Sequence, residues 1–272
     1  MGTIAVALRE GIVRNFESVS HKSRGSLVAE MKAQDSLGII IQARMGSKRL
    51  PGKSLMNVGT KPLINHVVTR ALAAAPAATI FLATSHLQED DILVEYVSYN
   101  FDIQIYRGSP LDVRSRFVEI GEKFDLETVI RVTADDPFKD PEFIRDSVTE
   151  MKAQKAVYFN NYESALFPIG LDVECFTARA LAENMKIDQS AESIEHVTTG
   201  LRRDREVKKA YLRGVPELTN IRLTIDYQTD LDYCNKLIEI NPEIGNQAFD
   251  WATTRSAIVQ LQELEGHYKN DN

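Results

Sequence analysis

From residue 37 onward, apolar positions switch between two spacings along this chain. Short apolar runs at Gly38–Ile41, Thr79–Ala83, Ile103–Tyr106 and Thr128–Val132 read as strands, because a fully buried strand needs no polar alternation. Between them apolar residues recur at helical spacing. Leu63, Ile64, Val67, Val68, Ala71 and Leu72 form one face of a helix predicted to start at Thr60 as N-cap, with Pro62 in its first turn. Residues 88–100 and Asp112–Phe124 are predicted as two further helices. Asp140 caps another, with Pro141 at its start and Phe143, Ile144, Val148 and Met151 on its inward face. Val157–Phe159, Asp172–Phe176 and Ile221–Ile225 read as further strands, and 246–266, carrying Trp251, Ile258, Leu261 and Leu264, as a closing helix. Repeated β-α units predict one α/β domain over 37–272, a mostly parallel sheet flanked by helices in the Rossmann-like manner.

The first 36 residues follow a different pattern. Met1–Ser36 carries scattered charges, Ser/Gly breaks at Ser18–Ser20 and Ser23–Gly25, and no clear strand. It lacks the long apolar core and small-residue cleavage site of a secretory signal, and Glu10, Glu17 and Glu30 argue against a basic targeting sequence. We read 1–36 as a poorly ordered N-terminal extension, with Met31 marking an alternative start.

Composition narrows the class of function. Hydrophobic residues make up 43% of the 272, ample for a single core. The 32 Lys and Arg against 39 Asp and Glu give a net charge of −7, which does not suggest a nucleic-acid-binding surface. Cys175 and Cys234 sit in apolar segments without metal spacing and read as reduced core residues. No apolar run approaches the length of a membrane span. The expectation is a cytoplasmic protein acting on small molecules, with homodimer formation left open.

The most distinctive chemistry follows the first strand. Ile39-Ile-Ile-Gln-Ala-Arg-Met-Gly-Ser-Lys-Arg-Leu-Pro-Gly-Lys53 runs from an apolar strand into a loop with two glycines, a proline and four cations: Arg44, Lys48, Arg49 and Lys53. Such a loop can surround a polyphosphate with backbone N–H groups and positive side chains. A solvated basic turn is the plainer reading. The position after the first strand of an α/β pattern favours a ligand site, since ligands bind outside the carboxyl ends of such strands. The Walker pattern fails, because Gly46 and Gly52-Lys53-Ser54 are separated by five residues including Pro51. No Gly-x-Gly-x-x-Gly fingerprint occurs.

Two carboxylate positions stand at predicted strand ends: Asp135 with Asp136 after Thr128–Val132, and Asp226 after Ile221–Ile225. Carboxylates so placed can share a hard cation such as Mg²⁺ with phosphate oxygens. The competing reading is that they cap helices; Thr229, with Asp232 completing a capping box, is the better N-cap, and Asp136 before Pro137 is the turn residue. No Ser-His-Asp or Cys-His constellation has recognisable spacing.

Arg44-x-x-Ser-x-Arg-Leu-Pro-Gly-Lys53 resembles the loop of the cytidylyltransferases that make CMP-activated sugar acids, in particular the spore-coat polysaccharide and acylneuraminate cytidylyltransferase-like branch. The resemblance continues in order through Tyr106-Arg-Gly-Ser109 with Asp112-Val113, Arg131-Val-Thr-Ala-Asp-Asp-Pro137, Gly170-Leu-Asp-Val-Glu174, Glu195-His-Val-Thr198 and Leu223-Thr-Ile-Asp226 with Thr229-Asp-Leu231. It implies a nucleotide-diphospho-sugar transferase-like fold and transfer of CMP from CTP to a sugar acid. By that resemblance Arg44, Lys53 and Asp135 are catalytic, and Gln42, Ala43, Arg44, Arg49, Lys53, Arg107 and Asp135 meet the nucleotide. Asp135 and Asp226 would hold Mg²⁺, and Asp172, Glu174 and His196 would meet the sugar. Two departures stand out: Ala134 where glycine is usual, and Ser193 before Glu-His-Val, which with Phe167-Pro168 would lie in the sugar pocket.

Rival readings remain at this stage. Asp172 and Glu174 share one side of their predicted strand, which a solvated face would also explain. A lone histidine such as His196 is more often structural. A sugar-1-phosphate nucleotidyltransferase using another base would share fold and motifs. A metal-dependent glycosyltransferase would need Asp-x-Asp, which Asp135-Asp136 is not. A non-catalytic nucleotide-binding partner module would have little reason to keep both the cations and the carboxylates.

Overall fold

The computed structural model describes residues 36–76, 78–163, 166–212, 216–245 and 250–270. The reading of 1–36 as an extension therefore lies outside the described residues apart from Ser36.

The first strand, β1 (Leu37–Gln42), has Ile39, Ile40 and Ile41 all fully buried, so both its faces are covered. The small ribbon β2 (Asn57–Val58) and β3 (Lys61–Pro62) follows the basic loop and leads into α1 (Leu63–Ala74). Then come β4 (Thr79–Ser85), α2 (Asp91–Asn100), β5 (Gln104–Gly108), α3 (Val113–Lys123), β6 (Thr128–Thr133) and α4 (Pro141–Ala153). The second half holds β7 (Tyr158–Asn160), β8 (Glu174–Thr177), α5 (Ala178–Ile187), α6 (Ala191–His196), α7 (Thr199–Arg203), β9 (Lys209–Tyr211), α8 (Gln228–Ile240) and α9 (Trp251–Asn270).

Seven strands form the main sheet in the order β5-β4-β1-β6-β8-β7-β9. β5, β4, β1 and β6 run parallel, whereas β8 pairs antiparallel with both β6 and β7. On one face Ile40, Phe81, Ala83 and Val129 pack with Val113, Phe117 and Ile120 of α3, Leu181 of α5 and Leu201 of α7. α1 and α4, which touch each other, bury Leu63, Ile64, Val67 and Val68 and Phe143, Ile144, Val148 and Met151 respectively. Successive strands leave β1 on one side through β4 and β5, and the chain returns to its other side at β6. This reversal opens a crevice at the carboxyl ends of β1 and β6, the place where open α/β sheets bind ligands.

The mostly parallel α/β prediction holds, and several local expectations are corrected. Thr60 is not an N-cap: Lys61 and Pro62 pair with Val58 and Asn57, so the helix begins at Leu63. Ile221–Ile225 is not a strand. Leu223 and Ile225 alternate because both are buried, yet their N–H groups go to loop carbonyls, Leu223 N to Ile169 O and Ile225 N to Asp135 O. An isolated bridge between Ile169 and Arg222 is the ladder pairing found there. β8 begins at Glu174, leaving Asp172 in the preceding loop, and the last helix is described from Trp251. At α8 the N-cap is Tyr227, and Asp230 rather than Asp232 reaches back, accepting from the N–H groups of Asp226 and Tyr227. Cys175 and Cys234 are buried and free, as expected.

Candidate active site

The basic loop is built around a few fixed points. Ala43 N donates to Ala83 O at 3.3 Å, prolonging the β1–β4 ladder by one residue. Met45 O then accepts from Ser47 N (2.8 Å) and Gly52 N (3.0 Å), drawing the loop into a closed turn. Gly52 closes it at φ 75°, a left-handed conformation that side chains resist. Buried Ser54 donates to Arg44 O at 3.2 Å. Asp90, fully buried, accepts from Met45 N at 2.6 Å and Ser85 N at 3.2 Å, tying the loop to the end of β4. Nothing in the sequence motifs marked Asp90; a buried carboxylate shared by two loop amides is visible only once β1 and β4 are side by side.

This loop brings Lys53 to the mouth of the crevice. Its ammonium donates to Ile225 O at 2.7 Å, to Asp135 Oδ2 at 3.1 Å and to Asp226 Oδ1 at 3.1 Å. Asp135 follows β6, and Asp226 reaches the same point on a loop held by Ile225 N to Asp135 O. The two carboxylates paired in the sequence analysis therefore converge on one cation. Asp226 also receives Arg49 at 2.6 Å and the guanidinium of Arg222, which in addition lies 3.4 Å from Asp230. Burial works against ionisation of Asp226, but the hydrogen bond and charge of Lys53, then the charges of Arg49 and Arg222, outweigh it and hold its carboxyl below the usual range.

Arg44 lies farther out, 4.0 Å from Glu195 with both side chains largely exposed. Gln42 turns its side chain to Arg131, accepting from Nε at 3.3 Å, and Ala43 is buried. Arg107 is taken up elsewhere: it donates to Ser85 O (2.9 Å) and Leu87 O (2.8 Å) and pairs with Asp91 (2.6 Å), fastening the β4–α2 loop. Asp136 is more than a turn residue. It is buried, accepts from Thr133 Oγ1 at 2.6 Å and Lys139 Nζ at 3.0 Å, and burial pushes its carboxyl up to about 6 against the pull of Lys139.

Next to this point opens a cleft of about 390 Å³ that brings together Asp172, Glu174 and His196 with Arg131, Tyr162 and Arg202. Glu174 is buried at the start of β8 and is saturated. Arg131 forms an ion pair with it, Tyr158 donates at 2.6 Å, Tyr162 at 3.3 Å, and Thr198 also donates. Desolvation would raise its pKa, yet Arg131 and these hydroxyls hold it below the usual range. Tyr158 and Tyr162 are shifted the other way by burial and by Glu174, Tyr162 to about 12. Asp172 accepts from Gly170 N at 3.3 Å, and burial raises its carboxyl. Phe167 and Ser193 stand outside the lining: Phe167 packs between Phe143 and Trp251, and Ser193 is buried in the N-terminal turn of α6, bonded to Asp188 and Ser190.

A crevice at the sheet's reversal point is thus edged by a cationic loop and paired carboxylates, with a polar cleft lined from Arg131 and Thr133 of the same strand β6, an arrangement suited to an α/β nucleotidyltransferase. The fold places it among known ones. A cytidylyltransferase from Leptospira borgpetersenii superimposes with a TM-score of 0.78 over 85% of this chain and 96% of that one, at 23% identity. CMP:2-keto-3-deoxy-manno-octonic acid synthetase complexed with CTP superimposes with a TM-score of 0.55 over 75% of this chain and 98% of the other, at 19% identity. The chain belongs to the cytidylyltransferase family, whose profile matches residues 38–256. Among its relatives, the spore coat polysaccharide biosynthesis protein SpsF of Bacillus subtilis is 32% identical over 209 residues, 74% of this chain and 85% of SpsF. The 3-deoxy-manno-octulosonate cytidylyltransferase of Escherichia coli is 32% identical over 126 residues, 44% of this chain and 47% of that protein. The protein is thus an enzyme of cytidylyl transfer. Among the described residues no helix is long and apolar enough to cross a membrane.

Proposed function

We propose that this enzyme transfers CMP from CTP to a hydroxyl of a sugar acid, with Mg²⁺, releasing pyrophosphate. The observation that carries the reading is the convergence of Asp135 and Asp226 on the Lys53 ammonium, beside a polar cleft of sugar size. Two carboxylates sharing one monovalent cation make a donor set that suits a hard divalent ion. Among the described residues no third Asp, Glu, His or Cys joins them, so its remaining ligands would be phosphate oxygens and water, the usual habit of Mg²⁺. When bound, the ion supplies charge neutralisation at the α-phosphoryl group.

The chain's own residues account for the rest. Lys53, Arg49 and Arg44, strung along one loop, offset the charge of the triphosphate and hold it in line with the cleft. The sugar hydroxyl presented from the cleft attacks the α-phosphorus and gives up its proton to water, and the bond to the bridging oxygen breaks to give pyrophosphate. Positioning and electrostatics suffice for such a step without a covalent enzyme intermediate.

The test is pyrophosphate release from CTP with a panel of sugar acids, run with Mg²⁺ and with chelator. Release should require both metal and acid, and Lys53→Ala should lower kcat on the order of a hundredfold with its melting temperature nearly unchanged. Turnover that survives chelation, or that accepts a sugar 1-phosphate in place of the acid, overturns the reading.

A further inference from the structure

Three loops meet at the crevice: the turn after β6 with Asp135 and Asp136, the segment 169–173 before β8, and the segment 221–226 before α8. They are tied in pairs. Ile225 N donates to Asp135 O at 2.8 Å, joining the first to the third. Ile169 N donates to Ile221 O (3.2 Å) and Leu223 N to Ile169 O (2.7 Å), joining the second to the third. Both of those links are main chain; the remaining side of the triangle runs through Lys139. Its ammonium donates to Asp136 Oδ2 at 3.0 Å and to the main-chain oxygen of Asp172. Lysine is seldom buried unless paired, and this side chain is 1% exposed beside a carboxylate 4% exposed. Lys139 precedes Asp140, the N-cap of α4, which accepts from Glu142 N and Trp251 N, so its stem starts from a fixed point. Asn161 holds the flanking Leu171 O (2.9 Å) and Val173 N (2.7 Å) to the end of β7, and Lys139 holds Asp172 O between them to the turn after β6.

We infer that Lys139 is a positioning residue, which holds the Asp135–Asp136 turn at a fixed distance from the segment that carries Asp172 and so aligns the two sides of the transfer. The inference rests on the function proposed above and adds to it a residue that stands behind the cleft and not in its lining. Stability alone gives little reason for such a pair. A buried ion pair exchanged for apolar side chains of similar size is often neutral or stabilising, whereas removing one partner is costly. What apolar side chains cannot do is bond to Asp172 O. The ammonium fixes that oxygen relative to Asp136, the neighbour of the carboxylate that meets Lys53. In-line displacement at phosphorus is sensitive to such a spacing, since a misplacement of about 1 Å is worth about a hundredfold in rate. Motif order does not mark Lys139, because its main-chain partner lies 33 residues further on.

The experiment compares the wild type with Lys139→Met, which keeps the length of the side chain and removes its donors, and with Asp136→Leu/Lys139→Met, which removes both buried charges. Pyrophosphate release with Mg²⁺ gives kcat and the KM values for CTP and for the sugar acid. Urea unfolding gives stability, and mass spectrometry follows amide exchange over residues 169–173. Lys139→Met alone should lose stability, and the double variant should regain most of it. Both should lose kcat by at least about tenfold, with each KM within about twofold. In the double variant the 169–173 amides should exchange faster than in the wild type although global stability is matched. A kcat that returns together with stability in the double variant overturns the assignment, because the pair would then only neutralise a buried charge. A loss confined to KM overturns it as well, as does unchanged exchange over 169–173. Absence of pyrophosphate release from the wild type with every acid overturns the transfer reading instead, and amide exchange in the double variant then decides whether Lys139 holds the two loops.

Discussion

Two sets of carboxylates face the same crevice and are treated in opposite ways. Asp135 and Asp226 meet several cations at a mouth that water reaches, their side chains 28% and 12% exposed. Glu174 is set into the wall, 5% exposed, and accepts from Arg131, Tyr158, Tyr162 and Thr198. The first pair is held by partners that a triphosphate can draw away, because Lys53, Arg49 and Arg222 are long cationic side chains. The second is a fixed part of the cleft's frame. Carboxylates in similar sequence contexts thus differ in exposure and in how many buried donors hold them. Glu174, expected to meet the sugar, lines the cleft and also holds Arg131, Tyr162 and Thr198 in place there.

The contrast is most sharply tested by substitution to amides. Glu174→Gln leaves Arg131 buried without its charge partner, which costs about 3–5 kcal/mol, read by denaturant unfolding. Asp226→Asn should cost less, about 1 kcal/mol, since Arg49 and Arg222 stay near solvent and Lys53 keeps Asp135 and Ile225 O, while turnover is lost. A stable Glu174→Gln protein with an altered KM for the acceptor would return Glu174 to the substrate.

A smaller effect concerns the ground beneath the loop. His66 of α1 is buried and donates from Nε2 to Val58 O at 2.8 Å; burial first, then the charge of Arg70, lowers its pKa to about 4. Between about pH 6.5 and pH 4 the unfolded chain binds a proton that the folded chain refuses, so this contribution is complete above pH 6.5 and is lost as pH falls. The loss at pH 5 should be about 2 kcal/mol. Urea melts of the wild type and His66→Gln across that range check it: the variant should show a shallower decline, and parallel curves would remove His66 as the cause.

The smallest effect expected is at Arg107. Its three partners belong to the β4–α2 loop, so Arg107→Ala should cost about 1 kcal/mol of stability and leave KM for CTP within about twofold. A tenfold rise in KM would place Arg107 at the nucleotide after all.

The parallel half of the fold was legible because its strands are continuously apolar and its helices strictly periodic, as at Ile39–Ile41 and along Leu63–Ala71. The carboxylate pair was legible through motif order, which needs no knowledge of the path between Asp135 and Asp226. What escaped was decided by tertiary contact. Leu223 and Ile225 alternate like a strand while bonding to loops, and Thr60 has cap chemistry but precedes a ribbon. The antiparallel insertion of β8 between β6 and β7 leaves no local mark. The partnership of Arg131 with Glu174 spans the distance between two motifs that were each quoted alone.

Gly170 has a consequence for how such an enzyme can diversify. Its φ of 104° and its approach to the backbone of Leu223 and Thr224, where a Cβ would sit 2.7 Å from two main-chain atoms, clamp the chain before Asp172 onto the chain before Asp226. Ile169 O accepts from Leu223 N on the same clamp, and Asp135 O from Ile225 N just beyond it. In the transfer proposed above, the spacing between acceptor and phosphorus would be set by this main-chain clamp, and in-line displacement tolerates little error in it. On that reading, side chains lining the cleft can be exchanged for others, admitting a different acceptor, while the main-chain clamp stays put. Specificity is free to drift where alignment is not.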